Sequence, residues 1–546
     1  MTFRKRATAA TLSLAALTLA ACGGGWEEED PKPAAVGDTL AITASGKFIS
    51  FDRAAPGTLV GSFAVTGLAA GESLLGIDVR PADGKLYGLG SAGNLYTLDP
   101  ATGAATFKSA LKAMASDDAP YSGLTGTRFG VDFNAVADRL RVVSETGQNL
   151  RINVDTGDAT TDGALAAGAK VTSVAYTNSF SGTASTRLFD LDLAAGLLHL
   201  QDPPNNGTLA AGVPLGVSAT GSSGFDIDPR NNTGYAALTV GAETALYRID
   251  LAATEAAATR IGAIASGEAL RGIALAAVSA PTAIALTGDN RLVSFSPAAP
   301  NTLTRSVAVT GLTAGENLVG IDIRPRDGLL YGLTSAARLY TIDPSSGAAT
   351  LRAPLAADPA DTSAPYGGLN GGVFSVDFNP AADRLRVISN TGQNLRIAVE
   401  TVTTGGTRVN AGQTTTDGPI NRAGGVPTVA AAAYTNSFAG TPATALYNLE
   451  QNSDVLALQN PPNNGTLVNV GALGVDIAGP AGFDIAGGEN GLALAALRSG
   501  STGPFLLYSV ALTTGAATLY RNAGAAASQI GGATGPANLI DLAIRY

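Results

Sequence analysis

The chain has 546 residues, a formal net charge of −10, one Cys and one His; at roughly 150 residues per domain it allows two to four domains. One Cys excludes an intrachain disulfide framework and multi-Cys zinc or iron–sulfur sites, one His excludes His-rich metal clusters, and the acidic balance argues against a nucleic-acid partner. Charged residues make up 14% and Gly numbers 68, against roughly 25% charged and ~7% Gly in typical domains, so turns and packing carry this chain.

The first residues read as a secretory signal. Arg4, Lys5 and Arg6 give a positive start, and an apolar run from Ala7 to Ala21 follows. That run is short for a membrane span, which needs about 20 apolar residues. It ends in Leu19-Ala20-Ala21-Cys22 and three glycines. This resembles the lipobox of bacterial lipoproteins, where the peptide is cut before the Cys, the thiol is diacylated and the new amino group is acylated. The resemblance implies that residues 1–21 are removed, that Cys22 is the lipid attachment point and that the protein is exported to the cell envelope. Several acyl chains, at ~0.8 kcal/mol per buried CH₂, make a stable anchor. Residues 22–37 then form the lipidated Cys and a flexible tether, with Glu27-Glu28-Glu29-Asp30 and a Pro-Lys-Pro. No Asp follows Cys22, which by resemblance to Gram-negative lipoproteins favours the outer membrane.

The body is one unit written twice, over 38–279 and 281–546. Gly76-Ile77-Asp78-Val79-Arg80-Pro81 returns as Gly320-Ile321-Asp322-Ile323-Arg324-Pro325. Ala137-Asp138-Arg139-Leu140-Arg141-Val142 returns at Ala382–Val387, and Thr146-Gly147-Gln148-Asn149-Leu150-Arg151 at Thr391–Arg396. Tyr176-Thr177-Asn178-Ser179-Phe180 returns at Tyr434–Phe438, and Pro203-Pro204-Asn205-Asn206-Gly207-Thr208-Leu209 at Pro461–Leu467. Copy two carries extra residues around Thr401–Gln413, a Thr/Gly-rich loop.

Within each copy, Gly-apolar-Asp openings are followed by short alternating strands and Gly/Asp/Pro turns. Four such strands per ~40–50 residues predict an all-β fold of propeller blades. In copy one, blades start near Leu74, Arg128, Val171 and Gly224. A fifth is assembled from Leu270–Leu275 with the N-terminal strands Leu40–Thr43, Phe48–Phe51 and Thr58–Val65. Copy two offers the same, with Leu539–Ile544 completing Thr282–Val309. Two tandem five-bladed propellers are expected. The alternative is one ten-bladed ring with Leu270–Val309 as a continuous blade, since either closure removes exposed edges.

The body, about 500 residues on the repeated segments above, resembles a bacterial family known only as a domain of unknown function, DUF4394. The resemblance implies propeller fold and secretion, and no activity.

Three sets of residues could carry function. Asp78, Asp132, Asp226, Asp322, Asp377 and Asp484 recur on the predicted innermost strands and could ring a channel; a hard cation such as Ca²⁺ would want six to eight oxygens there. The structural reading, that each carboxylate accepts N–H bonds from its own turn, is favoured, and no cofactor is expected. Arg80, Arg141, Gln148, Asn149 and Arg151, with Arg324, Arg386, Gln393, Asn394 and Arg396, could form a polar rim for an anionic or glycan ligand. Inter-blade ion pairs are the stronger reading of the same arginines. His199 is replaced by Ala457 in copy two, so it reads as a strand residue facing solvent, and no triad is expected in copy two. The function expected is a membrane-anchored, non-enzymatic binding or scaffold module whose partner is a protein, polysaccharide or small molecule. The alternative is a carboxylate-based hydrolase or lyase acting on extracellular sugars or lactones, with Ca²⁺ as its metal.

Overall fold

The computed structural model describes residues 35–546 apart from 405–406, 424, 489–491, 501 and 523. The expected signal peptide, Cys22 and most of the tether lie outside the described residues. No helix among the described residues is long and apolar enough to cross a membrane.

Each copy closes as its own ring of five blades. In ring one the blades open with Leu74–Val79, Phe129–Asn134, Val171–Tyr176, Thr220–Asp228 and Leu270–Leu275, and these five strands pack side by side around the axis. Leu270–Leu275 pairs antiparallel with Thr39–Thr43, so the last strand of the copy completes the blade begun at its start. Leu539–Arg545 pairs with Thr282–Thr287 in the same way and closes ring two. The single ten-bladed ring is therefore excluded: Leu270–Leu275 and Thr282–Thr287 belong to different sheets. Both closures pair an edge that would otherwise be open to another chain.

The Gly-apolar-Asp opening has a packing cause. A Cβ on Gly130 would stand 2.7 Å from Val174 N, and one on Gly224 would stand 2.3 Å from Ile273 N. At these two glycines the innermost strands of adjacent blades stand closer than a Cβ would allow. In copy two Ser375 takes the place of Gly130, and its hydroxyl bonds the neighbouring strand, accepting from Ala432 N at 2.7 Å.

The core lies between blades. Tyr87, Leu89 and Leu95 of one blade pack with Phe133, Leu140 and Val142 of the next, and Tyr87 meets Phe133 edge-on at 5.4 Å between ring centroids. Copy two repeats this with Tyr331 and Phe378 at 5.2 Å. Outermost strands such as Leu59–Ala64 are largely exposed, while Val171–Tyr176 on the axis is buried throughout. The extra residues of copy two form a two-stranded hairpin, Val402–Thr404 with Thr407–Val409.

The rings touch through copy-one loops. Phe180 is buried among Ala283, Val293, Phe295 and Leu494 of ring two, and Gly488 N donates to Arg230 O at 3.1 Å. Its counterpart Phe438 is half-buried in ring two.

Candidate functional site

The repeated aspartates converge on the two axes. Asp78, Asp132 and Asp226 bring carboxylate oxygens within 4.8 Å of one another, and so do Asp322, Asp377 and Asp484. All six are at most 4% exposed. The expectation that each binds its own turn is corrected in part, because the bonds run to the neighbouring blade. Phe133 N donates to Asp78 at 2.6 Å, Tyr176 N to Asp132 at 2.9 Å and Leu275 N to Asp226 at 2.6 Å. Ring two repeats the pattern with Phe378 to Asp322, Tyr434 to Asp377 and Ile544 to Asp484. Asp226 also accepts from the adjacent Ile227 N. Each carboxylate therefore latches one innermost strand to the next.

Ring two adds Asp541, which occupies the register of Gly272 and accepts from Ile321 N at 2.9 Å. Burial, then carboxylate repulsion, raises Asp78, Asp132, Asp322 and Asp377 well above the ordinary range. Burial pushes Asp226 and Asp484 to about 7. Carboxylates packed this closely cannot all ionise, so they share protons unless a cation neutralises them. These trios are the described residues that could hold a metal; backbone amides already take at least one oxygen of each, and both oxygens of Asp226 and Asp322.

The repeated arginines follow the stronger of their two readings: they form an interior network between blades, not a rim. Arg141 is 1% exposed, because its strand (Arg139–Ser144) is second from the axis and its guanidinium points into the junction with the next blade. It donates to Tyr176 Oη at 3.2 Å, Asn149 Oδ1 at 2.7 Å, Asp162 Oδ2 at 2.6 Å and Asn205 Oδ1 at 2.7 Å. Asn149 donates onward to Gly163 O and Pro204 O. The Pro-Pro-Asn-Asn-Gly segment is thus a strap, ending in Gly207 at φ 67°, where a Cβ would meet two carbonyl oxygens at 2.4 Å. Arg386 makes the same four bonds to Tyr434, Asn394, Asp417 and Asn463.

The remaining candidates are also bonded internally. Arg151 and Arg396, a third exposed, bind the same buried Asp162 and Asp417 from outside. Gln148 bridges Gly123 O and Thr125 N, and Gln393 bridges Gly368 O and Asn370 N. Arg80 clamps Asp138 and Asp155, which with Lys108 draws Asp155 down to about 2. Arg324 clamps Asp383 and Glu400 at the matching place. Asp162, Asp417, Tyr176 and Asn205 were not singled out from sequence, although Tyr176 and Asn205 sit inside repeated segments.

One member differs between copies. Asp190 is fully buried, and neither its oxygens nor Gln201 Oε1 has a hydrogen-bond partner. In ring two Asn448 stands there and donates Nδ2 to Gln459 Oε1 at 3.1 Å. Burial raises Asp190 well above the usual range, with Arg141 opposing. His199 is half-buried on the neighbouring strand, opposite Asp190 in register, with Nδ1 2.8 Å from Ala210 O.

The family described as a domain of unknown function (DUF4394) matches residues 47–274 and 291–532. The chain belongs to the DUF4394 family. Its two family regions coincide with the two rings. No curated protein matches the chain. Among solved structures it is similar to a protein from Lactobacillus plantarum, at 13% identity and TM-score 0.25, covering 68% of this chain and 98% of that one. It is also similar to the Cps50 (Swd1) β-propeller domain of Myceliophteria thermophila, at 13% identity and TM-score 0.21, covering 72% and 95%.

Proposed function

We propose that this DUF4394 protein is a non-enzymatic binding or scaffold module, held at the bacterial outer membrane by lipid on Cys22 and presenting its loop faces to a protein, polysaccharide or small molecule. The observation that carries the reading is the fate of the repeated polar residues. Arg80, Arg141, Asn149 and their copy-two partners are engaged within and between blades, and the axial aspartates bond the next strand. The chemistry shared by both rings therefore builds the fold, and a partner is left to the surfaces that differ between them. One observation favours the hydrolase or cation-dependent alternative, namely the approach of three carboxylates within 4.8 Å on each axis. Against it stand their burial and their amide bonds, which leave little of each oxygen pair for a substrate.

The anchor is tested by fractionation. The wild-type protein should sediment with membranes and need detergent for release, and Cys22→Ala should appear in the soluble fraction. A Cys22→Ala protein that still needs detergent contradicts the lipid anchor.

A further inference from the structure

Two arginines that copy two does not share, Arg187 and Arg248, line one cleft. A cleft of 530 Å³ opens in ring one at the junction of the blades that start with Val171–Tyr176 and Thr220–Asp228. Arg187 and Phe189 line it from one blade, and Asn231, Arg248 and Asp250 line it from the next. Its volume lies within the range of small-molecule sites, about 300–1,000 Å³.

Both arginines are exposed, and among the described residues neither has an ion-pair partner. Elsewhere in the chain carboxylates hold Arg80, Arg141 and Arg324 in pairs, whereas these two guanidiniums line a single cleft. Arg187 is held in position, with its guanidinium carbon 5.1 Å from the centroid of the buried Phe189 ring. Its backbone N–H donates to Thr177 Oγ1 at 2.9 Å. Arg248 reaches the same cleft from the third strand of the following blade.

The strand registers identify their counterparts. Tyr235 pairs with Arg248 in ring one, and Leu494 pairs with Ser509 in ring two. Ala445 N bonds Thr435 Oγ1 as Arg187 N bonds Thr177 Oγ1. Copy two thus has Ala445 and Ser509 in place of the two arginines, with Ala511 in place of Asp250. The fold is built without them, so their presence in copy one is not needed for blade packing.

We propose that this cleft binds a small hydroxylated oxyanion, an acidic sugar whose carboxylate or phosphate is gripped by Arg187 and Arg248 from opposite sides of the blade junction. Guanidinium groups pair with either anion through two parallel N–H bonds. Asp250, whose Oδ1 accepts from Ala252 N, offers its other oxygen to a sugar hydroxyl, and Asn231, whose Oδ1 accepts from Thr233 N, offers its amide N–H groups, contacts a bare inorganic anion would not use in this combination. The proposal rests on the binding-module reading and names its ligand class.

Titration calorimetry on the full chain tests it, with digalacturonate and glucose 6-phosphate as probes and cellobiose as the neutral control. One site per chain is expected for an anionic probe, and the probe that binds separates carboxylate from phosphate recognition. Arg187→Ala and Arg248→Ser, which install the copy-two residues, should each weaken binding roughly tenfold or more. Their melting temperatures should match the wild type. Failure of both probes to saturate at about 10 mM, equal binding of cellobiose, or unchanged binding by the double variant overturns the proposal. Such a result, with Cys22→Ala still released from membranes, removes this ligand and leaves the anchored scaffold standing.

Discussion

Arg141→Met is expected to destabilise ring one by about 3–5 kcal/mol, the usual cost of breaking a buried ion pair from one side. The methionine fills similar space but makes none of the four bonds. Asp162, 5% exposed, keeps only Arg151, while the side-chain oxygens of Asn149 and Asn205 lose a charged donor. At roughly 2–4 °C per kcal/mol for a unit of this size, the transition of ring one should fall by about 10 °C. Arg386→Met should do the same to ring two, because its four bonds are the same. Adding Asp162→Asn to Arg141→Met should recover part of the loss, since the uncompensated charge is then gone. Differential scanning calorimetry reads all four proteins. An unchanged transition in Arg141→Met would return that guanidinium to the role of a ligand contact.

The second large effect is a pH dependence with an uncommon sign. Asp226 and Asp484 rise from 3.8 to about 7 in the folded protein, burial being the main cause. A carboxyl raised on folding binds more protons folded than unfolded between those two values. Its stabilisation is therefore complete below pH 3.8 and is lost as pH rises through about 7. A rise of this size corresponds to roughly 4 kcal/mol for one group, and the neighbouring carboxyls shift in the same direction. Carboxylates held low, such as Asp155 at about 2, are ionised in both states above pH 5 and leave this window unaffected. The melting temperature should fall by about 10 °C from pH 5 to pH 8 in the presence of a chelator. Asp226→Asn, which keeps an oxygen for Leu275 N and cannot ionise, should flatten the slope contributed by ring one. A melting temperature that rises toward pH 8, or that climbs steeply on adding Ca²⁺ there, would mean that ionised carboxylates hold a cation.

The blades were legible because their signal is local. Alternation in Leu86–Gly90 and Asn94–Leu98, with Gly and Asp in the turns, needs only a few residues of context; the starts placed near Leu74, Arg128 and Val171 fall within one residue of the observed ones, and Gly224 lies inside the strand that begins at Thr220. Closure was not legible, because Leu270–Leu275 satisfies its edge equally well against Thr39–Thr43 or Thr282–Thr287. The aspartates illustrate the same limit, since Asp78 bonds an amide 55 residues away. Nothing in Gly76-Ile77-Asp78 says which strand stands beside it. The arginines were recognised by repetition, but rim and interior differ only in burial, a property of the assembled junction. Arg187 and Arg248 left no signal of that kind, because they stand outside the repeated segments and gain meaning only by their absence from copy two.

The axial latches, the buried networks and the copy-specific cleft all presuppose two separately closed rings. Disulfide trapping addresses that closure directly in a Cys22→Ala background. Ala41→Cys with Ile273→Cys places the two thiols on directly opposed residues of the closing blade of ring one, within reach of a disulfide. Ala285→Cys with Ile273→Cys instead probes the continuous blade of a ten-membered ring. Under mild oxidation the first pair should crosslink in the folded protein and the second should not, as read by peptide mass mapping. Crosslinking of the second pair without the first would contradict the two-ring architecture.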